Sequence, residues 1–412
     1  MTGNSGPLGS SDYYTAKYAA ANGALLWQRW YSFGPNDVPY AIAVDSVGNV
    51  VVTGSSRGFR GADYATIKYA ASDGSQVWVI RYDGPARTND VPNAVAVDSS
   101  GDVIVTGSSA GFFNSRTNSD IYTAKYASGN GALIWERRFN GPGNADDGAN
   151  ALAVDSNGDV VIAGYAGWTN VNGYAAKYAA SDGSLIWGKY FTNGRLNGVA
   201  VDGNNNVVVT GYSSNGTNDD YYTAKYAADG TLLWEQRYNS SANRQDQAFA
   251  VKIDAQGNAI ITGTSHNGNN DDYYTAKYAG GNGSLLWEAR YNGPANGPDV
   301  MLTKSSLAIG PNGMMAITGS SDGNFLPATT ISEYATVVYF DPVSPVSIEK
   351  VPGYVRITFT GSPGYSYEIE RAPEVSGPWN VIAARNTPID TLIGYIDTNA
   401  PPGQAFYRVS RR

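Results

Sequence analysis

Aspartates recur at a fixed distance from a repeated phrase, and their carboxylates are the side chains of this sequence best suited to cation chemistry. Four of them fall eight positions before the residue that ends a run such as Ala-Val-Ala-Val-Asp, and a fifth lies near the last such run. Carboxylates gathered around one opening can attract a cation or a basic partner. Alternatively, each caps backbone N–H groups of its own loop, a common role of Asp. This predicted acidic ring consists of Asp37, Asp90, Asp147, Asp246 and Asp299.

Two acidic pairs in Asn-rich stretches add to the predicted cation site. They are Asp219 with Asp220 and Asp271 with Asp272. Ca²⁺ prefers hard oxygen ligands of this kind, although the spacing does not match an EF-hand loop. We expect no other cofactor. His266 is the single histidine and has no orienting partner in the sequence, which favours a solvent-exposed side chain over a catalytic base.

Aromatic residues break the symmetry of the repeats. They occur in the stretch after the Val-Val-Val-Thr-Gly type of run in the second, third, fourth and last repeats, whereas the fifth and sixth repeats hold Asn, Gly, Ser, His and Asp there. Exposed rings can dock a protein or a glycan, with arginines donating hydrogen bonds; alternatively, they fold over their own repeat. This predicted aromatic arc consists of Phe59, Phe112, Phe113, Trp168 and Phe325, with Arg57, Arg60 and Arg116.

The elements that position these residues form a repeat of about 50 residues, a period typical of a propeller or a solenoid. One phrase reads DYYTAKYAAANGALLWQRW around Lys17 and returns around Lys225 and Lys277, with looser copies between. Each unit predicts four strands: a (Ala-Val-Ala-Val-Asp), b (Val-Val-Val-Thr-Gly), c (Tyr-Tyr-Thr-Ala-Lys-Tyr) and d (Leu-Leu-Trp-Glu-x-Arg-Tyr). No window shows a period of 3.6 residues, so the sequence predicts an all-β protein.

The connections between these strands predict a functional face. The a-b and c-d connections are short and uniform, whereas the b-c and d-a connections are long and differ from repeat to repeat. In a four-stranded blade these two sets lie on opposite faces. Because recognition usually resides in variable loops on a rigid scaffold, we expect binding on the b-c and d-a loop face.

Strand counts predict six four-stranded blades. Strands a, b and d each occur six times and strand c seven times. Pairing the N-terminal strands around Tyr14 and Trp27 with the last strands, around Leu307 and Ile317, would close the ring and remove an open edge. The leftover strand from Glu333 to Phe340 is then either a fifth outer strand or the true c strand. A seven-bladed parent truncated at its N-terminus is the competing count.

Repeated tryptophans and lysines favour structural roles. Large aromatics dominate buried contacts, so we expect the tryptophan of each d strand to pack between blades. In a plausible hairpin register Lys225 faces Glu235 and Lys277 faces Glu288, as cross-strand charge pairs. The tryptophans are Trp27, Trp78, Trp135, Trp187, Trp234 and Trp287.

The predicted domains follow from where the repeat begins and ends. Residues 1–10 end in Gly-Pro-Leu-Gly-Ser, which resembles the remnant of an expression tag, and the propeller spans 11–341. Residues 342–346 contain two prolines and suit a linker. Residues 347–412 predict a small β-sandwich. Its expected strands are Tyr354–Thr360, Tyr365–Arg371, Trp379–Ala384, Ile393–Asp397 and Phe406–Arg411.

Composition excludes several classes of partner. The net charge is −8 without a basic run, which argues against nucleic acid. No apolar stretch approaches the length of a transmembrane segment. The chain has no Cys, which excludes disulfides and thiolate metal sites. The sequence gives no indication of an oligomeric state.

The repeat resembles the SBBP-type β-propeller repeat family, found mostly in exported bacterial proteins. The resemblance covers nearly all of residues 11–340 and is carried by Gly-Asn-Val-Val-Val-Thr-Gly at 48–54, Asp-Tyr-Ala-Thr-Ile-Lys-Tyr at 63–69 and Asn-Gly-Pro-Gly-Asn-Ala-Asp-Asp at 140–147. The tail, with Tyr-Glu-Ile-Glu-Arg at 367–371, resembles fibronectin-like or immunoglobulin-like modules. These resemblances imply a bacterial protein that is secreted or displayed on the cell surface.

The sequence therefore predicts a non-catalytic binding or scaffold module for a protein or a glycan. A glycan-active propeller enzyme and a structural subunit of an extracellular assembly are the alternatives. Ala-Asp-Gly-Thr-Leu-Leu-Trp at 228–234 resembles the tryptophan-docking motif of quinoprotein propellers, but only in its blade-packing residues. Residues 72–78 resemble the Asp-box of sialidases with altered spacing, and that motif is itself structural.

Overall fold

A computed structural model shows a chain built from β-strands. Contacts divide it into two compact units, Met1–Leu307 with Ile317–Thr336 and Ala308–Ala316 with Val337–Arg412. Every regular element among the described residues is a strand, which confirms the predicted all-β class. The structure describes residues 1–412 except 7–10, 59, 114–115, 168–170, 294–295, 302–305, 311–314, 323–331, 340–346, 352–353, 362–364, 374–377, 379, 388–390, 400–405 and 412.

The first unit begins with a three-stranded sheet and continues with five four-stranded antiparallel sheets, each formed by one repeat. Within each four-stranded sheet the strands pair in the order a-b-c-d, as the repeat predicts. The first sheet holds β1 (Thr2–Ser5), β2 (Asp12–Tyr18) and β3 (Leu25–Tyr31). The second to sixth sheets are β4 (Val38–Val44), β5 (Val50–Arg57), β6 (Ala62–Tyr69) and β7 (Gln76–Tyr82); β8 (Asp90–Val97), β9 (Val103–Phe113), β10 (Arg116–Tyr126) and β11 (Leu133–Phe139); β12 (Asp147–Val154), β13 (Val160–Gly167), β14 (Val171–Tyr178) and β15 (Leu185–Phe191); β16 (Gly194–Val201), β17 (Val207–Ser214), β18 (Asp219–Tyr226) and β19 (Leu232–Tyr238); and β20 (Asp246–Ile253), β21 (Ala259–His266), β22 (Asp271–Tyr278) and β23 (Leu285–Tyr291).

The predicted pairing between the first and last strands is wrong. A seventh sheet holds β24 (Asp299–Val300), β25 (Leu307–Ile309), β26 (Met315–Asp322) and β27 (Ser332–Tyr339). Strand β26 pairs with β27, and β2 pairs with β1 and β3. Both pairings join strands close in sequence, and closing a short loop costs less entropy than joining chain ends about 300 residues apart. The leftover strand thus takes the c position beside β26.

Tryptophan residues hold successive sheets together. The indole of Trp27 covers Gly74, where an added Cβ would lie 2.6 Å from the ring, and its Nε1 donates to the Ala71 carbonyl at 3.3 Å. Trp78, Trp135, Trp187 and Trp234 repeat this contact on the c-d turn of the next sheet. These five side chains are 5–7% exposed, which confirms the expected packing between sheets, whereas Trp287 is half-buried.

The repeated lysines pair with aspartate, so the predicted Lys–Glu pairs are wrong. A register shift at the end of each c strand places Lys225 opposite Trp234 and Lys277 opposite Trp287. The ammonium groups instead reach the aspartate that ends strand a of the same sheet. The Nζ–Oδ2 distances are 3.1 Å for Lys68–Asp45, 2.8 Å for Lys125–Asp98, 2.7 Å for Lys177–Asp155, 2.8 Å for Lys225–Asp202 and 2.7 Å for Lys277–Asp254.

The second unit contains two three-stranded sheets. Val355 and Ile357 of one sheet and Tyr367 and Ile369 of the other form a shared buried cluster. The first of the six strands was missed by the sequence analysis, and the other five match the predicted positions to within a few residues. The sheets are β28 (Ser347–Val351), β29 (Tyr354–Gly361) and β32 (Thr391–Asp397), and β31 (Asn380–Thr387), β30 (Tyr365–Ala372) and β33 (Phe406–Arg411).

Candidate functional site

The aspartates of the acidic ring lie beneath the b-c and d-a loop face. Asp37, Asp90, Asp147, Asp246 and Asp299 are each 0% exposed. Each accepts a hydrogen bond from a backbone N–H at the start of its own d-a loop, at 2.5–2.7 Å. These contacts are the ones expected if each aspartate caps backbone N–H groups of its own loop. Their carboxylates therefore do not form a solvent-facing ring.

Three of these carboxylates also bind strand b, at its last residue in the fourth and sixth sheets and within β9 in the third. The second oxygen accepts from the N–H of Ala110 at 3.0 Å, of Gly167 at 2.8 Å and of His266 at 3.2 Å. Because burial disfavours the ionised form, it raises the pKa of Asp147 to about 6 and raises that of Asp90. In the fifth sheet the equivalent position is Gly194.

The acidic pairs proposed as calcium ligands are engaged within the scaffold. Asp272 is 0% exposed and pairs with the Arg290 guanidinium at 3.1 Å. Asp220 is buried and accepts from Asn215 at 2.9 Å. Their neighbours Asp219 and Asp271 are half-buried. Calcium binding stays a prediction.

One further group of carboxylates lies close enough together to hold a metal ion among the described residues. Oxygen atoms of Asp63, Asp83 and Asp90 lie within 4.8 Å of one another. Asp63 pairs with Arg81 at 2.8 Å, and Asp90 is already bound by two backbone N–H groups. Ca²⁺ takes six to eight oxygen ligands, and Asp83 is the one exposed carboxylate of this group.

Much of the aromatic arc lies outside the described residues. Phe59, Trp168 and Phe325 are not described. The backbones of Phe112 and Phe113 belong to β9, and Arg116 pairs with Phe113 from β10, so this predicted loop is an extended hairpin. The side chains of these three residues are not described, whereas Arg57 and Arg60 are exposed.

A cavity of about 580 Å³ lies where the innermost strands of the second to sixth sheets converge. Each of these strands carries a bulge, and the extra residue it accommodates lines the cavity. The sequence analysis missed this position, although its variation within an otherwise uniform strand a was the available signal. The bulge residues are Tyr40, Asn93, Asn150, Asn197 and Phe249.

Three successive sheets place a carboxamide in this cavity. Asn93 donates to the Ala149 carbonyl, and Asn197 donates to the Ala248 carbonyl, both at 2.9 Å. Asn150 makes the same contact with the sheet after it. Each bond reaches the innermost strand of the next sheet. The carboxamides are therefore held in fixed orientations, which suits recognition of a polar ligand.

Comparisons with known proteins find one family model that matches part of the chain and solved structures of low identity. A family model described as outer membrane protein assembly factor BamB matches residues 171–328. A search of curated proteins finds no match. Among solved structures, BamB from Moraxella catarrhalis is similar with a TM-score of 0.41 and 13% identity, over 86% of this chain and 92% of that one. A periplasmic gluconolactonase from Pseudomonas aeruginosa gives 0.48 and 9% over 95% and 97%, respectively.

The first unit is a β-propeller repeat domain. Its four-stranded sheets follow one another, pack face to face and direct their innermost strands towards a common cavity. The low identities assign no activity. No helix in the described part of the chain is long and apolar enough to cross a membrane.

Proposed function

We propose that this protein is a non-catalytic bacterial binding module, secreted or on the cell surface, which recognises a protein or a glycan through its b-c and d-a loop face. The observation that carries the proposal is the anchoring of these variable loops. In the fourth and sixth sheets one buried carboxylate fixes both the start of the d-a loop and the end of strand b, and in the third sheet it fixes the d-a loop and a residue within strand b. A rigid base with variable loops loses little conformational entropy when a partner binds.

The contacts of the repeated charges support a non-catalytic role. The lysines are bound to the aspartates of strand a, and Arg81, Arg138 and Arg290 pair with aspartates of strand c. These arginines also bond to tyrosine hydroxyls of the preceding sheet, at 3.0–3.3 Å. Such groups hold the scaffold, so the loops and the cavity are the surfaces left for recognition.

The finer assignments belong to the same proposal. The SBBP-type repeat implies an exported protein, and the BamB family match over 171–328 supports a cell-envelope location and a protein partner. Six copies of strands a, b and d support six blades, whereas the seven sheets of the described residues support the seven-bladed alternative. The shared core of the two C-terminal sheets supports a fibronectin-like sandwich.

A binding screen with matched surface variants tests this function. The intact protein is applied to a glycan array and to candidate envelope proteins, together with the variant Phe112→Ala/Phe113→Ala/Trp168→Ala. We expect binding by the intact protein and a loss of more than tenfold in the variant, because aromatic anchors can each contribute about 2 kcal/mol. A control changes Asp73 and Asp182, which are exposed in c-d turns on the opposite face, to Ala.

If the loop face is the binding site, the triple variant loses binding and the control with Asp73 and Asp182 changed to Ala keeps it. Loss of binding in the control alone would move the site to the a-b and c-d face. Unfolding of the triple variant would identify the rings as local core. An intact protein that binds nothing in either format would contradict the proposal.

A further inference from the structure

The cavity carries a charge that the repeat does not explain. Lys252 occupies a position of strand a that is Ala43, Ala96, Ala153 and Ala200 in the second to fifth sheets. The side chain is exposed and lines the cavity. Unlike the lysines of strand c, it forms no ion pair with a described carboxylate. Folding requires no cation there, since alanine occupies this position in the second to fifth sheets.

The remaining lining is polar on one side and apolar on the other. The carboxamides of Asn93, Asn150 and Asn197 come from three consecutive sheets. Tyr40 and Phe249 come from the second and sixth sheets, which flank these three, and Leu307 also lines the cavity. None of the seventeen described residues that line it is an aspartate or a glutamate. The described lining therefore offers hydrogen-bonding groups, aromatic surface and the ammonium group of Lys252.

These three features together match one class of small molecule. A carboxamide both donates and accepts hydrogen bonds, as a sugar hydroxyl does. The C–H face of a sugar ring is apolar and packs on aromatic side chains. A carboxylate complements an ammonium group that has no acidic partner. The volume falls within the range of about 300–1,000 Å³ that is typical of small-molecule sites.

We propose that the cavity binds a sugar unit that carries a carboxylate, such as a hexuronate at the end of an acidic glycan. This inference rests on the proposed binding function and names a ligand class for the cavity, in addition to the loop face. Lys252 binds the carboxylate, the asparagines bind the hydroxyl groups, and Tyr40 with Phe249 packs on the ring. Aspartate or glutamate would repel such a ligand, and the described residues of the lining include neither.

Titration calorimetry with D-glucuronate, D-galacturonate, glucose and acetate tests the proposal on the full chain. We expect at least one uronate to bind at least tenfold more tightly than glucose, and acetate not to bind. Lys252→Met should reduce uronate affinity to the level of glucose. Because Lys252 is exposed, this variant should keep the melting temperature of the parent. Asn93→Ala should weaken both sugars.

The control is Arg385→Met, which removes an exposed cation of the second unit that does not line the cavity. Uronate binding should survive this change. Equal affinity for uronate and glucose, or uronate binding that Lys252→Met leaves unchanged, would overturn the inference. If loop variants abolish glycan or protein binding while the cavity variants do not, the proposed function stands and the cavity assignment fails. As a second readout, the ¹³C-methylated Lys252 resonance should shift on adding uronate.

Discussion

Aspartates at the two ends of strand a have opposite electrostatic settings, as Asp147 at the start of β12 and Asp202 directly after β16 illustrate. Burial raises the pKa of Asp147 to about 6, outweighing its two backbone hydrogen bonds. Burial also acts on Asp202, but hydrogen bonds from Lys225 and Asn206 outweigh it and hold the pKa of that carboxyl below its usual value. The difference is the cation, since Asp147 binds only N–H groups.

This contrast predicts opposite pH dependences. An unfolded aspartate has a pKa of about 3.9. Folded Asp147 takes up its proton first as the pH falls, so its contribution to stability is greatest below about pH 4 and is lost as the pH rises through about 6. The contribution of Asp202 is present above about pH 4 and is lost as the pH falls through its lowered pKa. Urea unfolding from pH 3 to 8 measures both.

The matched variants are Asp147→Asn and Asp202→Asn. Relative to the parent, the free energy of unfolding of Asp147→Asn should be highest above pH 6. That of Asp202→Asn should be highest at the acid end of the range. Parallel stability profiles for the parent and Asp147→Asn would show that this carboxyl titrates alike in both states.

The lysine pair predicts a large cost for losing one partner. Lys225 lies 2.8 Å from Asp202, with side chains 5% and 6% exposed. Lys225→Met leaves a buried carboxylate without its cation, so we expect a loss of about 3–5 kcal/mol in the free energy of unfolding. Lys17 belongs to the first sheet, which has no strand a, and its Nζ donates to the Ala71 carbonyl at 2.9 Å. Lys17→Met should cost only about 1 kcal/mol.

A double variant separates the ion pair from the packing of the lysine side chain. Adding Asp202→Asn to Lys225→Met removes the unpaired charge, so it should restore part of the lost stability. If the two changes add, the pair contributes no coupling energy.

At the scale of the element, the c-d turn carries the contact between sheets. Gly74 and Gly23 have φ angles of +71° and +70°, so an added side chain strains both turns alike, by about 1 kcal/mol. Only Gly74 is covered by a tryptophan; at Gly23 an added Cβ meets nothing within 4 Å. Tyr18 beside the open turn is 40% exposed, against 3% for Tyr69.

These two glycines give a matched prediction. Gly23→Ala should cost about 1 kcal/mol from backbone strain alone. Gly74→Ala should cost about 1–3 kcal/mol more, because the new methyl group displaces the Trp27 ring. Urea midpoints of the two variants at 25 °C measure the difference. Equal costs would mean that the indole does not rest on the glycine in solution.

The repeat specifies its strands better than their register. Alternation and turn residues predicted the a-b-c-d order, because each strand is bounded by tight turns. The bulge next to Lys225 was not visible, since one extra residue changes which side chains oppose each other without changing the hydrophobic pattern. The cavity was missed for the same reason, because a bulge exposes Asn93 or Phe249 to it. Phe112 lies in a hairpin and not in a loop. The polar residues of this hairpin lack the hydrophobic alternation by which the sequence analysis recognised strands.

At the scale of the molecule, each sheet of the propeller contacts mainly its neighbours. The buried clusters join adjacent sheets in turn: Trp78 lies in one with Tyr122, Trp135 in another with Tyr174. In such arrays stability is close to a sum of unit and nearest-neighbour terms. A substitution at the contact between two sheets should therefore destabilise those two sheets most.

Trp135→Ala tests this coupling. Trp135 is 5% exposed, donates to the Ala180 carbonyl at 3.1 Å and covers Gly183, so its removal should cost about 3–5 kcal/mol. Hydrogen exchange should rise most in the third and fourth sheets and least in the sixth. Trp30→Ala is the control: this side chain is 52% exposed, and its loss should change stability by only about ±0.5 kcal/mol. A uniform rise in exchange across all sheets would contradict nearest-neighbour behaviour and show that the propeller opens as one cooperative unit.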